Sequence, residues 1–62
     1  MCLSTIYERR GEERAPIAKI IASVKTEDGK LVFTDIMGVR TVVDAEIISI
    51  DLMDNFIDIR RR

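Results

Sequence analysis

The chain has 62 residues, with ten lysines and arginines against eleven acidic residues and a net charge of −1. That near-balance predicts no strong attraction to nucleic acid or to an anionic membrane, and no apolar run approaches the roughly 20 residues of a membrane span. A chain this short makes one domain, residues 1–62, and buries only about 60% of its unfolded surface. Its single cysteine excludes an internal disulfide, so a metal or a second copy becomes the expected support. A hydrophobic content of 47%, with one proline and three glycines, excludes a disordered chain.

Ten Ile, five Val and four Thr favour strands, because their stiff χ1 suits a pleated surface. The first predicted strand runs from about Cys2 to Arg9, with Cys2, Ser4 and Ile6 on one face and Leu3, Thr5 and Tyr7 on the other. Gly11 then marks a turn. Pro16 lacks a backbone donor and should lie on an edge or ahead of a strand. Ala18 to Ile21 leaves room for one helical turn, but the run from Ile20 to Thr26 alternates as a second strand. Asp28-Gly29 is a strong hairpin cue. It leads into a third strand, Lys30 to Thr34, whose alternation places Phe33 with core-like residues. Gly38 precedes a fourth strand, Val39 to Val43. A fifth, Glu46 to Met53, aligns Ile48, Ile50 and Leu52 against Ile47, Ser49 and Asp51. Asp54-Asn55 then turns the chain into a last strand, Phe56 to Arg60.

Five to six short antiparallel strands at this spacing predict an all-β fold, either a small barrel or a strongly bent meander. The second and fifth strands carry apolar residues on both faces. A chain this small has no core for both, so the surplus face predicts a homodimer interface. The tail Arg60-Arg61-Arg62 is expected to fray. No repeat or low-complexity segment stands out.

Met1 and Cys2 form the one constellation with chemistry of its own. A buried, inert thiol is the ordinary fate of a free cysteine. A thiol beside the terminal amine is instead placed for chelation. If Met1 is removed, Cys2 offers amine and thiolate. If it is kept, Met1 offers its amine, and Cys2 its amide nitrogen and thiolate. Such nitrogen and sulfur donors suit Ni(II), with Cu(II) as competitor. Two copies with their termini together would bring two thiolates to one ion. Structural zinc wants four Cys or His ligands, and this chain has one cysteine and no histidine.

No catalytic set is visible. A cysteine nucleophile needs a base, and the carboxylates Asp35, Asp44, Glu46, Asp51, Asp54 and Asp58 are scattered over predicted strands and turns, as solvated faces and turn caps. An enzyme is therefore not expected. Arg9, Arg10, Arg14 and the Arg60–Arg62 tail would serve a small RNA-binding barrel, the alternative function. Such barrels stack bases on several aromatics, and only Tyr7, Phe33 and Phe56 are present. A structural interaction domain without metal is the other alternative. The opening residues lack the basic segment of a secretory signal. A lone thiol fits a reducing compartment, so the cytoplasm is the expected location.

Met1-Cys2, the run Thr34-Asp35-Ile36-Met37-Gly38 ahead of a strand, Ile50-Asp51, and Met53-Asp54-Asn55 before Phe56-Ile57 together resemble the CooT-type proteins over nearly the whole chain. These are small accessory proteins of carbon monoxide dehydrogenase maturation. The resemblance implies an SH3-like β-barrel and a homodimer that binds one nickel ion per dimer through its N-terminal cysteine. By position that cysteine is Cys2, with Met1 supplying the adjacent amine. It also implies a metallochaperone or Ni(II) buffer as the function, with carbon monoxide dehydrogenase as a possible client.

Overall fold

The predicted turns form, every regular element among the described residues is a strand, and the alternation holds except where the register slips near Ile20 and between Ile47 and Ser49. The structure is a computed structural model describing residues 3–62. Six strands follow in order: β1 (Ser4–Arg10), β2 (Glu13–Glu27), β3 (Lys30–Asp35), β4 (Arg40–Val43), β5 (Ala45–Asp51) and β6 (Phe56–Arg61). Asp28 and Gly29 both take positive φ, 54° and 77°, as a two-residue hairpin between right-twisted strands requires. None of the described residues belongs to a helix long and apolar enough to cross a membrane.

The six strands form one sheet in the order β4-β3-β2-β1-β6-β5. Laid flat, a sheet of this width would hold its edge strands about 24 Å apart. Yet β4 and β5 are joined by Asp44 alone, which spans at most about 7 Å between flanking Cα atoms. The sheet must therefore curl until its two edges meet at Asp44. Arg62 secures that corner by donating its backbone N–H to the Asp44 carbonyl at 3.1 Å. Beyond the corner the two edges are not paired to each other, so the expected barrel is a curled half-barrel with an open side.

The expectation of purely antiparallel strands needs correction. β1 pairs with β6 in parallel, with Ile6 opposite Ile57 and Glu8 opposite Ile59. The reason lies again at Asp44. Val43-Asp44-Ala45 has no turn residue, and the chain passes from one sheet edge to the other without reversing. One missing reversal leaves β6 running in the same direction as β1.

β2 is longer than predicted. Fifteen residues of straight strand would extend about 50 Å, against a longest molecular dimension of 30 Å. The strand bends where its register slips. Ser4 pairs with Ile21 but Ile6 with Ala18, which leaves an extra residue on β2. Ile20, at the slip, has φ of 51°, a left-handed backbone that a β-branched side chain rarely adopts. The possible helical turn at 18–21 is thus a strained kink within a strand. Pro16 pairs with Tyr7 in the part of β2 that β3 does not reach, so it sits on a local edge as expected.

The inner face carries the core of Ile6, Ile21, Leu31, Phe33, Val43, Ala45, Ile57 and Ile59. Val32 is also buried, though its neighbour Leu31 and its neighbour Phe33 take the inner face. It lies on the outside, where the Glu27–Arg40 ion pair spans from β2 to β4 across β3. The basic tail is ordered rather than frayed. Arg60 pairs with Glu46 and Arg61 with Glu8, because β6 lies between β1 and β5 and its last residues are held from both sides.

Candidate metal centre and its surroundings

Met1 and Cys2, the predicted metal ligands, lie outside the described residues. What the structure defines is the end of the sheet at which β1 begins. Ser4 stands opposite Ile21, and Ile21 stands opposite Asp35. On the other side Thr5 donates its N–H to the carbonyl of Asn55 at 3.0 Å. The start of β1 therefore lies between two turns, Asp35–Val39 and Asp51–Asn55.

Both turns are built by the same device. The Asp35 carboxylate Oδ1 accepts the N–H groups of Met37 and Val39, each at 2.9 Å. The Asp51 Oδ1 accepts those of Met53 at 3.0 Å and Asp54 at 2.8 Å. Each aspartate thus satisfies the backbone of its own turn, as short acidic side chains do. The two residues after each aspartate point outward: Ile36 and Met37, Leu52 and Met53. Met37, Leu52 and Met53 are 81%, 84% and 92% exposed. The repeated tripeptide, Asp35-Ile36-Met37 and Asp51-Leu52-Met53, was present in the sequence but overlooked there, because its members fall in different predicted elements.

This end holds no carboxylate cluster for a hard cation, since Asp35 and Asp51 are engaged by backbone. Among the described residues, no group of three or more potential ligands could hold a metal ion, and no pocket is found.

The opposite end is charged and closed. Glu8 continues the inner face of β1 past Ile6 and is only 4% exposed. Its carboxylate accepts hydrogen bonds from Arg10 and Arg61. Arg10, then Arg61, hold the Glu8 carboxyl below its ordinary value of 4.5. A carboxyl so depressed contributes stability above its unfolded value, and that contribution is lost as pH falls through the folded value. The melting temperature should therefore hold down to about pH 4.5 and drop below it. Glu8→Gln should flatten that acid limb in a thermal series monitored by circular dichroism. An unchanged acid limb would remove Glu8 as its cause.

Asp58, expected on a solvated face, is instead buried on the outer side of β6. It accepts from Arg14 Nε at 3.1 Å and from the Ser49 hydroxyl at 3.3 Å. The Arg14 guanidinium lies over both Tyr7 and Phe56, 4.2 and 4.6 Å from their ring centres. The basic residues of the RNA-binding reading are thus largely committed within the fold. Arg10 and Arg61 serve Glu8, Arg14 serves Asp58, Arg60 serves Glu46, and Arg62 lies 3.6 Å from Asp44. Two of the three aromatics carry Arg14, and the third, Phe33, is in the core. Arg9 is the one basic residue of that reading with no ion pair among the described residues.

No curated protein matches the chain. A crystal structure from Carboxydothermus hydrogenoformans, assigned to CooT, shares the fold with a TM-score of 0.91. Its identity is 21%, and the alignment covers 98% of each chain. The family model described as CO dehydrogenase accessory protein CooT matches residues 1–60. With Met1 and Cys2 inside that match and nearly the whole chain covered, the protein belongs to the CooT family.

Proposed function

We propose that this chain is a nickel-binding accessory protein that carries or buffers Ni(II) for carbon monoxide dehydrogenase maturation in the cytoplasm. The ion is cargo, held by the Cys2 thiolate and the nitrogen donors beside it, including the Met1 amine where Met1 is retained. Two copies share one ion. The family match, which runs from Met1 to residue 60, carries this reading. Two further observations support it. The chain has one cysteine and no histidine, and the described residues offer no competing ligand group. A thiolate with nitrogen donors is a set that Ni(II) accepts.

Isothermal titration of Ni(II) tests the proposal. Wild type is expected to take up one ion per two chains, and Cys2→Ser to take up none while keeping its circular dichroism spectrum. Unchanged stoichiometry in Cys2→Ser would overturn the site. Because the metal must displace protons from thiol and nitrogen, affinity should weaken as pH drops. Equal affinity at mildly acidic and mildly alkaline pH would argue against thiolate capture.

A further inference from the structure

The open sheet has two edge strands, β4 and β5. An unpaired edge offers a row of backbone donors and acceptors to any approaching strand, and proteins usually blunt it. Here one edge is blunted and the other is not. β4 is short, four residues, and begins with Arg40. The stretch of β2 that β3 leaves uncovered carries Pro16. β5 has seven residues, Ala45–Asp51, without proline, lysine or arginine. Among the described residues its outer edge has no backbone partner beyond the Arg62–Asp44 bond at the corner. Ile47, Ile48 and Ile50 on this strand are 39%, 41% and 54% exposed. Ile47 and Ile50 stand opposite the core residues Ile59 and Ile57. They face inward yet stay in contact with solvent, because the half-barrel is open there.

Charge and twist indicate the occupant. From Asp44 to Asn55 the chain carries Asp44, Glu46, Asp51 and Asp54 and no basic residue. Arg62 lies beside Asp44, and Arg60 pairs with Glu46. Asp51 and Asp54 have no cation beside them among the described residues. The edge is therefore neutral where β5 starts and negative where it ends. A second copy of this strand brings no uncommitted cation to that negative end, whereas a different protein with lysine or arginine there does. The register slip between Ile47 and Ser49 also twists the edge. Such a twist resists flat pairing with another folded sheet. A single extended segment is free to follow it.

We propose that the β5 edge takes up an extended segment of a different protein as an added strand. That segment has apolar side chains at alternate positions and a lysine or arginine beside Asp51 and Asp54. Backbone hydrogen bonds along the edge supply the affinity, and the alternate side chains supply the selection. Its inward-facing side chains lie next to Ile47 and Ile50, as neighbouring strands place them, and cover the open side of the half-barrel. The contact depends neither on Cys2 nor on nickel.

Titration of the full chain with a synthetic peptide, followed by amide chemical shifts, tests the contact. The probe has the seven-residue length of β5, alternates valine with threonine, carries lysine at both ends and has blocked termini. It is expected to bind with a Kd of about 0.1–1 mM and to shift the amides of Ala45–Asp51 more than those of β4. The same peptide ending in glutamate should bind about tenfold more weakly, and Asp54→Lys should reverse that preference. N-methylation of alternate peptide amides should abolish binding in one frame and spare it in the other, because an added strand pairs on one side only. Ile48→Lys should remove binding with an unchanged circular dichroism spectrum, since a lysine blunts the edge. No saturable binding in the millimolar range, indifference to the charge at the peptide ends, equal loss in both N-methyl frames, or shifts centred on β4 overturns the proposal. Shifts of the β5 amides on dilution of the chain alone also overturn it, by making a second copy the occupant. Cys2→Ser should bind the peptide as wild type does, so the nickel site and the β5 edge stand or fall separately.

Discussion

Phe33→Ala is expected to leave most of the chain unfolded at room temperature. Phe33 is wholly buried at the middle of β3 and, with Ile6 and Ile59, is one of the largest fully buried side chains. Truncating a buried phenylalanine costs about 3–5 kcal/mol, part lost transfer and part residual cavity. A domain of this length has only about 3–9 kcal/mol in total. The loss is therefore comparable with the whole stability, and no disulfide is present to offset it. Val42, exposed on the opposite face of the edge strand β4, is the matched control. Val42→Ala should change stability by less than about 0.5 kcal/mol. Urea titrations followed by far-UV circular dichroism give both values. A Phe33→Ala chain as stable as Val42→Ala would mean that the core is not centred where the structure puts it.

The second large effect is expected at Asp58. Its carboxylate joins Arg14 of β2 and Ser49 of β5 across the outer face, and Arg14 stacks on Tyr7 of β1 and Phe56 of β6. The two rings meet edge to face, with centres 5.9 Å apart. One cluster thus ties four strands together over the parallel β1–β6 seam. Breaking a fully buried ion pair costs about 3–5 kcal/mol. Here the Arg14 side chain keeps 37% of its surface in water, so it is not stranded when Asp58 is removed. Asp58→Ala should therefore cost about 2 kcal/mol. In a domain this small that lowers the melting temperature by about 10 °C. Arg14→Ala and the double variant complete a thermodynamic cycle, in which the pair should show about 1 kcal/mol of coupling. Strictly additive losses would mean that Arg14 acts through its stacking alone.

The two clusters differ in how far the sequence foretold them. Phe33 was assigned to the core by alternation, which is a local property of β3. Asp58 also alternates with core residues, Ile57 and Ile59, and that pattern rightly puts it outside. Its burial comes from Arg14, forty-four residues away, and no local pattern encodes such a partner. Glu8 went unrecognised for the same reason, since one of its two arginines, Arg61, comes from the far end of the chain. At the candidate site, Cys2 stood out as the only sulfur nucleophile. The paired Asp-aliphatic-Met turns around the start of β1 emerged once β3 and β5 were seen to end on the same side of the sheet.

What residue order settles alone is whatever neighbours decide: strands from β-branched alternation, the Asp28-Gly29 reversal, the carboxylates that cap their own turns, and the membership of the family. Tertiary structure decided the parallel seam, the half-open barrel and the burial of Glu8 and Asp58. Distant arginines account for the two buried carboxylates, and the physical cause of the seam and the opening is the single residue Asp44. It carries the chain from one sheet edge to the other without a reversal, and nothing in its immediate surroundings announces which distant strand the next one will meet.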